Sequence, residues 1–206
     1  MSVYVHYGCG FTAPKSWINY DASPTLKFER IPIIGKIYTK NPRRFPKNVL
    51  CGNIIKGLPH QKESVQGIFC SHVLEHLSLE DCRRALRNTF KYLKPGGIFR
   101  LVVPDLEYAI GEYEKDKTPD ASVRFMEYTL LGRSCRSGTI LQIMESVLGN
   151  SKHLWMWDEK SMVKELYDIG FSKVRRAKYG DCKDIRFNEV ENEGRFHNCL
   201  SLEAIK

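Results

Sequence analysis

Apolar, β-branched runs alternate along this chain with amphipathic stretches of helical period, which predicts strands and helices in turn. The runs at 3–7, 17–21, 48–52, 66–71, 98–103, 171–178 and 196–205 read as strands. Between the fourth and fifth, Cys82, Ala85, Leu86, Thr89, Phe90 and Leu93 recur at helical spacing, with arginines on the opposite face. Ser78 can cap this helix, Asp81 completes a capping box, Leu77 can staple onto Cys82, and Pro95-Gly96-Gly97 stops it. A second helix runs from about Glu159 to Ile169, capped by Asp158 and stopped by Gly170. Residues 106–157 interrupt the rhythm with two helical patterns, around 121–131 and 139–148.

Alternating strands and helices fold as a single doubly wound α/β domain, here over residues 1–206, with 106–157 as a helical insertion after strand 5. Open sheets of this kind place ligand chemistry beyond the carboxyl ends of their strands. Strand 1 ends there in Tyr7-Gly8-Cys9-Gly10, strand 2 in Asp21-Ala22, strand 3 in Asn53-Ile54 and strand 4 in Ser71-His72. The insertion lies on the same edge. Covering a substrate and completing the core both suit it.

Size and charge narrow the classes. A chain of 206 residues with 42% hydrophobic content can bury one full core. No apolar run approaches the roughly 20 residues a membrane helix needs, and no N-terminal signal pattern stands out. Seven scattered cysteines without a CxxC pair argue against a disulfide framework or a zinc site and fit a reducing cytoplasm. The net charge of +8 favours anionic partners, yet the basic residues are spread out and do not select one.

The turn Gly8-Cys9-Gly10-Phe11-Thr12-Ala13 formally fits the dinucleotide pattern G-x-G-x-x-G/A and raises a nicotinamide-dependent oxidoreductase as a rival. Spacing opposes it. Asp21 follows Gly8 by only 13 residues, where that fingerprint expects its acid about 20 on. Pro14 also stands where the phosphate-binding helix should run.

The glycine turn, the acid ending strand 2, the segment His72-Val73-Leu74-Glu75-His76 and the segment Leu93-Lys94-Pro95-Gly96-Gly97 occur in one order. Together they resemble the class I S-adenosylmethionine-dependent methyltransferases, in particular the small type 11 group. The resemblance implies a mixed seven-stranded sheet ending in an antiparallel strand, and S-adenosyl-L-methionine as cofactor. It places Gly8 and Gly10 against the methionine and ribose portions, flanked by Tyr7 and Cys9. Asp21, followed by Ala22, would accept from the ribose hydroxyls. Asn53 would face the adenine amino group where the family usually has an aspartate, beside Ile54. Ser71 and His72 would lie near the sulfonium. His6 and Gln66-Gly67 depart from acids the family often carries.

His72 is the candidate general base for a hydroxyl nucleophile, and contact with the cofactor is its competing role. His76 lies four residues on; a His-x3-His pair suits a metal, but no third ligand is evident in the sequence, so no metal is expected. His153-Leu154-Trp155-Met156-Trp157-Asp158 can stack on a sugar or heterocycle or anchor the insertion, and anchoring is favoured. The resemblance implies a small-molecule or glycan substrate. An RNA substrate on the basic surface and a non-catalytic cofactor-binding protein are the alternatives, with nucleic acid not favoured.

Overall fold

The apolar runs pair as parallel strands over the first half of the chain. In the computed structural model, which describes residues 2–33, 35, 43–132 and 152–206, these are β1 (Val3–Tyr7), β2 (Ile18–Asp21), β3 (Val49–Cys51), β4 (Val65–Ser71) and β5 (Leu93–Pro104). Neighbours among them are all parallel. The sheet is completed by β6 (Lys173–Arg176) and β7 (Cys199–Ile205), and its order is β3-β2-β1-β4-β5-β7-β6. The last strand runs antiparallel to both β5 and β6, between them.

Alternation along the strands divides the core into two layers. Val5, Tyr7, Ile68, Cys70, Phe99, Leu101, Leu200 and Leu202 face one side. Two helices cover them: α2 (Leu79–Tyr92) through Cys82, Ala85 and Leu86, and α5 (Glu159–Ile169) through Met162 and Leu166. Ser78 Oγ accepts from Asp81 N at 3.3 Å and Asp158 Oδ1 accepts from Ser161 N at 2.8 Å, so both caps form as their sequences predict. Arg83 binds Glu165 through Nε and Nη2, which ties the two helices together on their outer faces.

The opposite side carries Tyr4, Trp17, Phe69 and Val102, covered by Cys182, Phe187 and Val190 from the connection between β6 and β7. That connection holds two short 3-10 turns, Ile185–Glu189 and Glu193–Arg195, with no amphipathic period to announce it. It is nailed down by Arg100, a fully buried guanidinium in the middle of β5. Arg100 donates to Glu191 (2.6 Å), Asp181 (3.0 Å), Glu203 (2.7 Å) and the Lys178 carbonyl (2.9 Å). With its donors so widely used, the buried charge is compensated by geometry as well as by sign.

Several element boundaries differ from the sequence reading, among them the strand expected at 171–178, which spans only Lys173–Arg176, and the helix expected at 121–131, which ends at Tyr128. α2 stops at Tyr92, and extended backbone begins at Leu93 rather than after Gly97. The Pro95-Gly96-Gly97 segment bulges between the pairs Val65–Leu93 and Gly67–Ile98, held by reciprocal backbone bonds between Lys206 and residues Gly96 and Gly97. At 196–198 the chain closes a 3-10 turn, so the last strand begins at Cys199. After β5 the structure has α3 (Leu106–Lys115) and α4 (Ala121–Tyr128); the pattern at 139–148 lies outside the described residues. A short α1 (Pro24–Glu29) follows β2, capped by Ser23.

Candidate active site

Strand order reverses between β1 and β4, and the loops beyond the carboxyl ends of β1 to β4 gather at this switch point. Residues 8–17 form turns and no helix. A pyrophosphate therefore finds no helix N-terminus here, in line with the spacing argument against a dinucleotide.

The two glycines of the first loop have positive φ, 67° at Gly8 and 53° at Gly10, but different neighbours. A Cβ on Gly8 would lie 2.1 Å from Val73 Cγ2, so this glycine lets the loop after β4 close down on β1. A Cβ on Gly10 would meet nothing within 4 Å, so its backbone faces open space. Asp21 organises the same loop. Its carboxylate accepts from Gly10 N (3.0 Å) through Oδ2 and from Ser23 N (2.8 Å) through Oδ1. Each oxygen keeps a second lone pair for a hydroxyl. Ala22 is exposed beside it.

The side chains of Tyr7, Cys9 and Ile54 are packed in the core, so only their backbone can reach a ligand. Burial, helped by the Asp21 charge, pushes the Cys9 thiol up to about 12 and keeps it neutral. Asn53 Oδ1 accepts from Ile55 N (2.8 Å) and Lys56 N (3.4 Å) and so shapes the turn after β3. His6, in place of a family acid, is buried against Trp17 and Phe69. Burial above all, with the Arg195 charge, lowers its pKa to about 3.

At the end of β4, Ser71 is buried and His72 takes a left-handed backbone, φ 54°. His72 Nε2 lies 3.1 Å from the Arg195 carbonyl and Nδ1 lies 3.3 Å from Glu75 Oε1. Burial disfavours the imidazolium, but bonds to Cys199 and Glu75 and the Glu75 charge outweigh it and carry the pKa up to about 10. This departs from the near-neutral histidine that the sequence suggests, because the buried Glu75 is a partner that reading did not assign.

Residues 7–101 match the family model of the methyltransferase domain, type 11. The matched span holds the glycine loop, Asp21, Asn53 and the β4 end in order. These residues carry a methyltransferase domain of the type 11 family, and the protein is an S-adenosylmethionine-dependent methyltransferase.

Solved structures agree in fold. The methyltransferase is similar over its whole length to a possible histamine N-methyltransferase from Thermotoga maritima, with 16% identity, a TM-score of 0.54 and 83% of that chain covered. A methyltransferase from Archaeoglobus fulgidus has 14% identity and the same TM-score, with 100% of this chain and 86% of that one covered. One from Mesorhizobium loti has 15% identity and a TM-score of 0.51, with 99% and 90% covered. No curated protein sequence matches the chain. S-adenosyl-L-methionine is the cofactor of this methyltransferase. The site fits it: Gly10 leaves its backbone open, Asp21 retains acceptor capacity, and no phosphate-binding helix is needed.

Three residues near the site escaped the sequence reading. Arg195 Nη1 donates to Ser71 O at 2.9 Å from far along the chain. Cys199 Sγ lies 3.8 Å from His72 Nε2. Glu75 is fully buried beneath His72. Only Glu75 left a signal, a charged residue inside an otherwise apolar turn motif.

The cluster 153–158 divides. Trp157 is buried in the main core and bridges to Asp105, which makes it the anchor. Trp155 stays 40% exposed, its ring 6.1 Å from that of Trp157.

Proposed function

We propose that this methyltransferase methylates a hydroxyl of a small molecule or glycan, held between the β4 end and the 106–157 segment. The observation that carries the reading is an aromatic groove of about 460 Å³ between α3 and α4, lined by Tyr108, Tyr113, Phe125 and Tyr128 with Arg124 and Glu127 among its polar groups. Aromatic rings in tilted and edge-to-face pairs, with a polar rim, suit a sugar or a small heterocycle. Against an RNA substrate, Arg83, Arg100, Arg124, Arg175 and Arg176 are already committed to carboxylates. Six free cysteines among the described residues support a reducing cytoplasm. No described helix is long and apolar enough to cross a membrane.

When bound, the cofactor supplies an activated methyl group, and the substrate oxygen takes it as the hydroxyl proton leaves. The chain's task is then to align the nucleophile and exclude water. Asp21, the glycine loop, the Asn53 turn and the Ser71-His72 strand end hold the cofactor in this reading. Both ring nitrogens of His72 face acceptors, Glu75 and a carbonyl, so the ring carries two protons and acts as a contact rather than as the base.

Single-turnover transfer of labelled methyl to small-molecule and glycan acceptors, with total RNA alongside, tests the substrate class. Labelling of RNA alone overturns it. His72→Ala separates the roles: as a contact it weakens cofactor binding, and turnover recovers at saturating cofactor. A loss of about 100- to 10,000-fold that persists at saturation would instead assign the base to His72.

A further inference from the structure

The turn after β4 buries a carboxylate that only His72 approaches as a donor, on one side. Glu75 is fully enclosed, and neither of its oxygens is satisfied. His72 Nδ1 stands 3.3 Å from Oε1 on one side. On the other side two more histidines close in. His76 Nε2 is 3.9 Å from Oε1, and the His76 and His153 ring centroids are 5.0 Å apart.

Tautomers decide what this group can do. His76 Nδ1 lies 3.0 Å from the Lys152 carbonyl, which only accepts, so Nδ1 carries the proton. In the neutral ring Nε2 then presents a lone pair towards Glu75. This is the arrangement of metal-binding histidines, whose second nitrogen donates to a carbonyl or carboxylate. His153 is more than nine-tenths buried, and its Nδ1 has no partner. One ligand atom from each of Glu75, His76 and His153 lies within 4.8 Å of the others. Three acceptors thus converge with no donor between them.

We propose that Glu75, His76 and His153 bind a divalent metal ion of the zinc type. Two imidazoles and one carboxylate match zinc, whereas calcium and magnesium select oxygen ligands. Bonds of roughly 2.0–2.2 Å require the ligand atoms to draw together by about 1 Å from their outermost spacing. The backbone already holds the partners close: Leu154 N and Trp155 N both donate to the Glu75 carbonyl, at 2.7 and 3.1 Å. The ion clamps the 152–157 segment onto the turn that carries His72. Of the His-x3-His pair only His76 enters this site, joined by Glu75 and His153, while His72 stays outside it. This site depends on no choice of methyl acceptor.

The test is zinc binding by the chelator-stripped full chain, read by metal analysis after dialysis and by X-ray absorption at the zinc edge. One equivalent is expected, with nitrogen and oxygen neighbours near 2.0–2.1 Å and no sulfur near 2.3 Å, which separates this site from adventitious thiolates. His76→Ala and His153→Ala should each weaken binding by at least about 100-fold, beyond the usual effect of outer-shell changes. Glu75→Gln keeps the shape of the side chain and should act likewise, while exposed His197→Ala should leave affinity unchanged. Failure to retain zinc, sulfur in its shell, or binding by Glu75→Gln equal to that of the parent overturns the proposal. The absorption spectrum of the unsubstituted chain decides the ligand chemistry even if a variant fails to fold.

Discussion

Arg195 Nη1 donates to the Ser71 carbonyl at 2.9 Å, so a side chain from the connection between β6 and β7 holds the end of β4. The same residue's carbonyl faces His72 Nε2 at 3.1 Å. Strand end and distant turn are locked from both sides.

Removing that lock should loosen the cofactor site without unfolding the sheet. A charge-assisted bond is worth about 1.5–3 kcal/mol. Arg195→Ala should weaken S-adenosylmethionine binding roughly tenfold, equivalent to about 1.4 kcal/mol, in titration calorimetry. Unchanged affinity would show that the β4 end is held by its own loop.

Gly8 and Val73 should behave as a coupled pair. In Gly8→Ala the new methyl meets Val73 Cγ2, and the positive φ adds about 1–2 kcal/mol of strain. Val73→Ala should relieve the contact but not the strain. In urea unfolding, the double variant should therefore be more stable than Gly8→Ala alone. Additive losses would mean that backbone strain is the whole effect.

His6 should make stability fall as the solution is acidified. Its pKa is lowered to about 3 in the folded protein, by burial first and by Arg195 second. The unfolded chain takes up the proton near pH 6.5. The contribution is thus complete above that pH and declines below it, by roughly 1.4 kcal/mol per pH unit, until the folded pKa is reached. His6→Gln should have a shallower stability profile between about pH 7 and pH 4.5. Parallel profiles would place His6 in contact with water.

Arg100 should be the costliest single charge to remove. Arg100→Met leaves buried Glu191 without its cation and Glu203 with Arg175 alone, and breaking such a network typically costs about 3–5 kcal/mol. Urea unfolding measures it, and limited proteolysis should find new cuts within 177–198. A loss below about 1 kcal/mol would mean the acids are reached by solvent.

What could be read in advance follows from the range of the forces involved. The parallel core and α2 were legible because Ile68, Phe69 and Cys70, or Cys82, Ala85 and Leu86, state their environment within one short window. The glycine loop and Asp21 were legible for the same reason: both end strands. Arg195 and His153 were not, because each meets the β4 end only after the chain has crossed the sheet. The segment that holds Phe187 and Glu191 has no periodic pattern, and a buried arginine in the middle of β5 gives no notice of the acids that receive it.

The inserted position of β7 also sets an order of events. Among the described residues, β5 has no neighbour on its β7 side until residues 199–205 arrive, and β6 pairs with β7 alone. Phe99 must wait for Ala204, about a hundred residues away, and pairings of that range form slowly. Until then the flank of β5 is an open edge able to recruit another chain. The half of the sheet from β3 to β5 can assemble early, and its closure by the last strand is the step at which a nascent chain is exposed to aggregation.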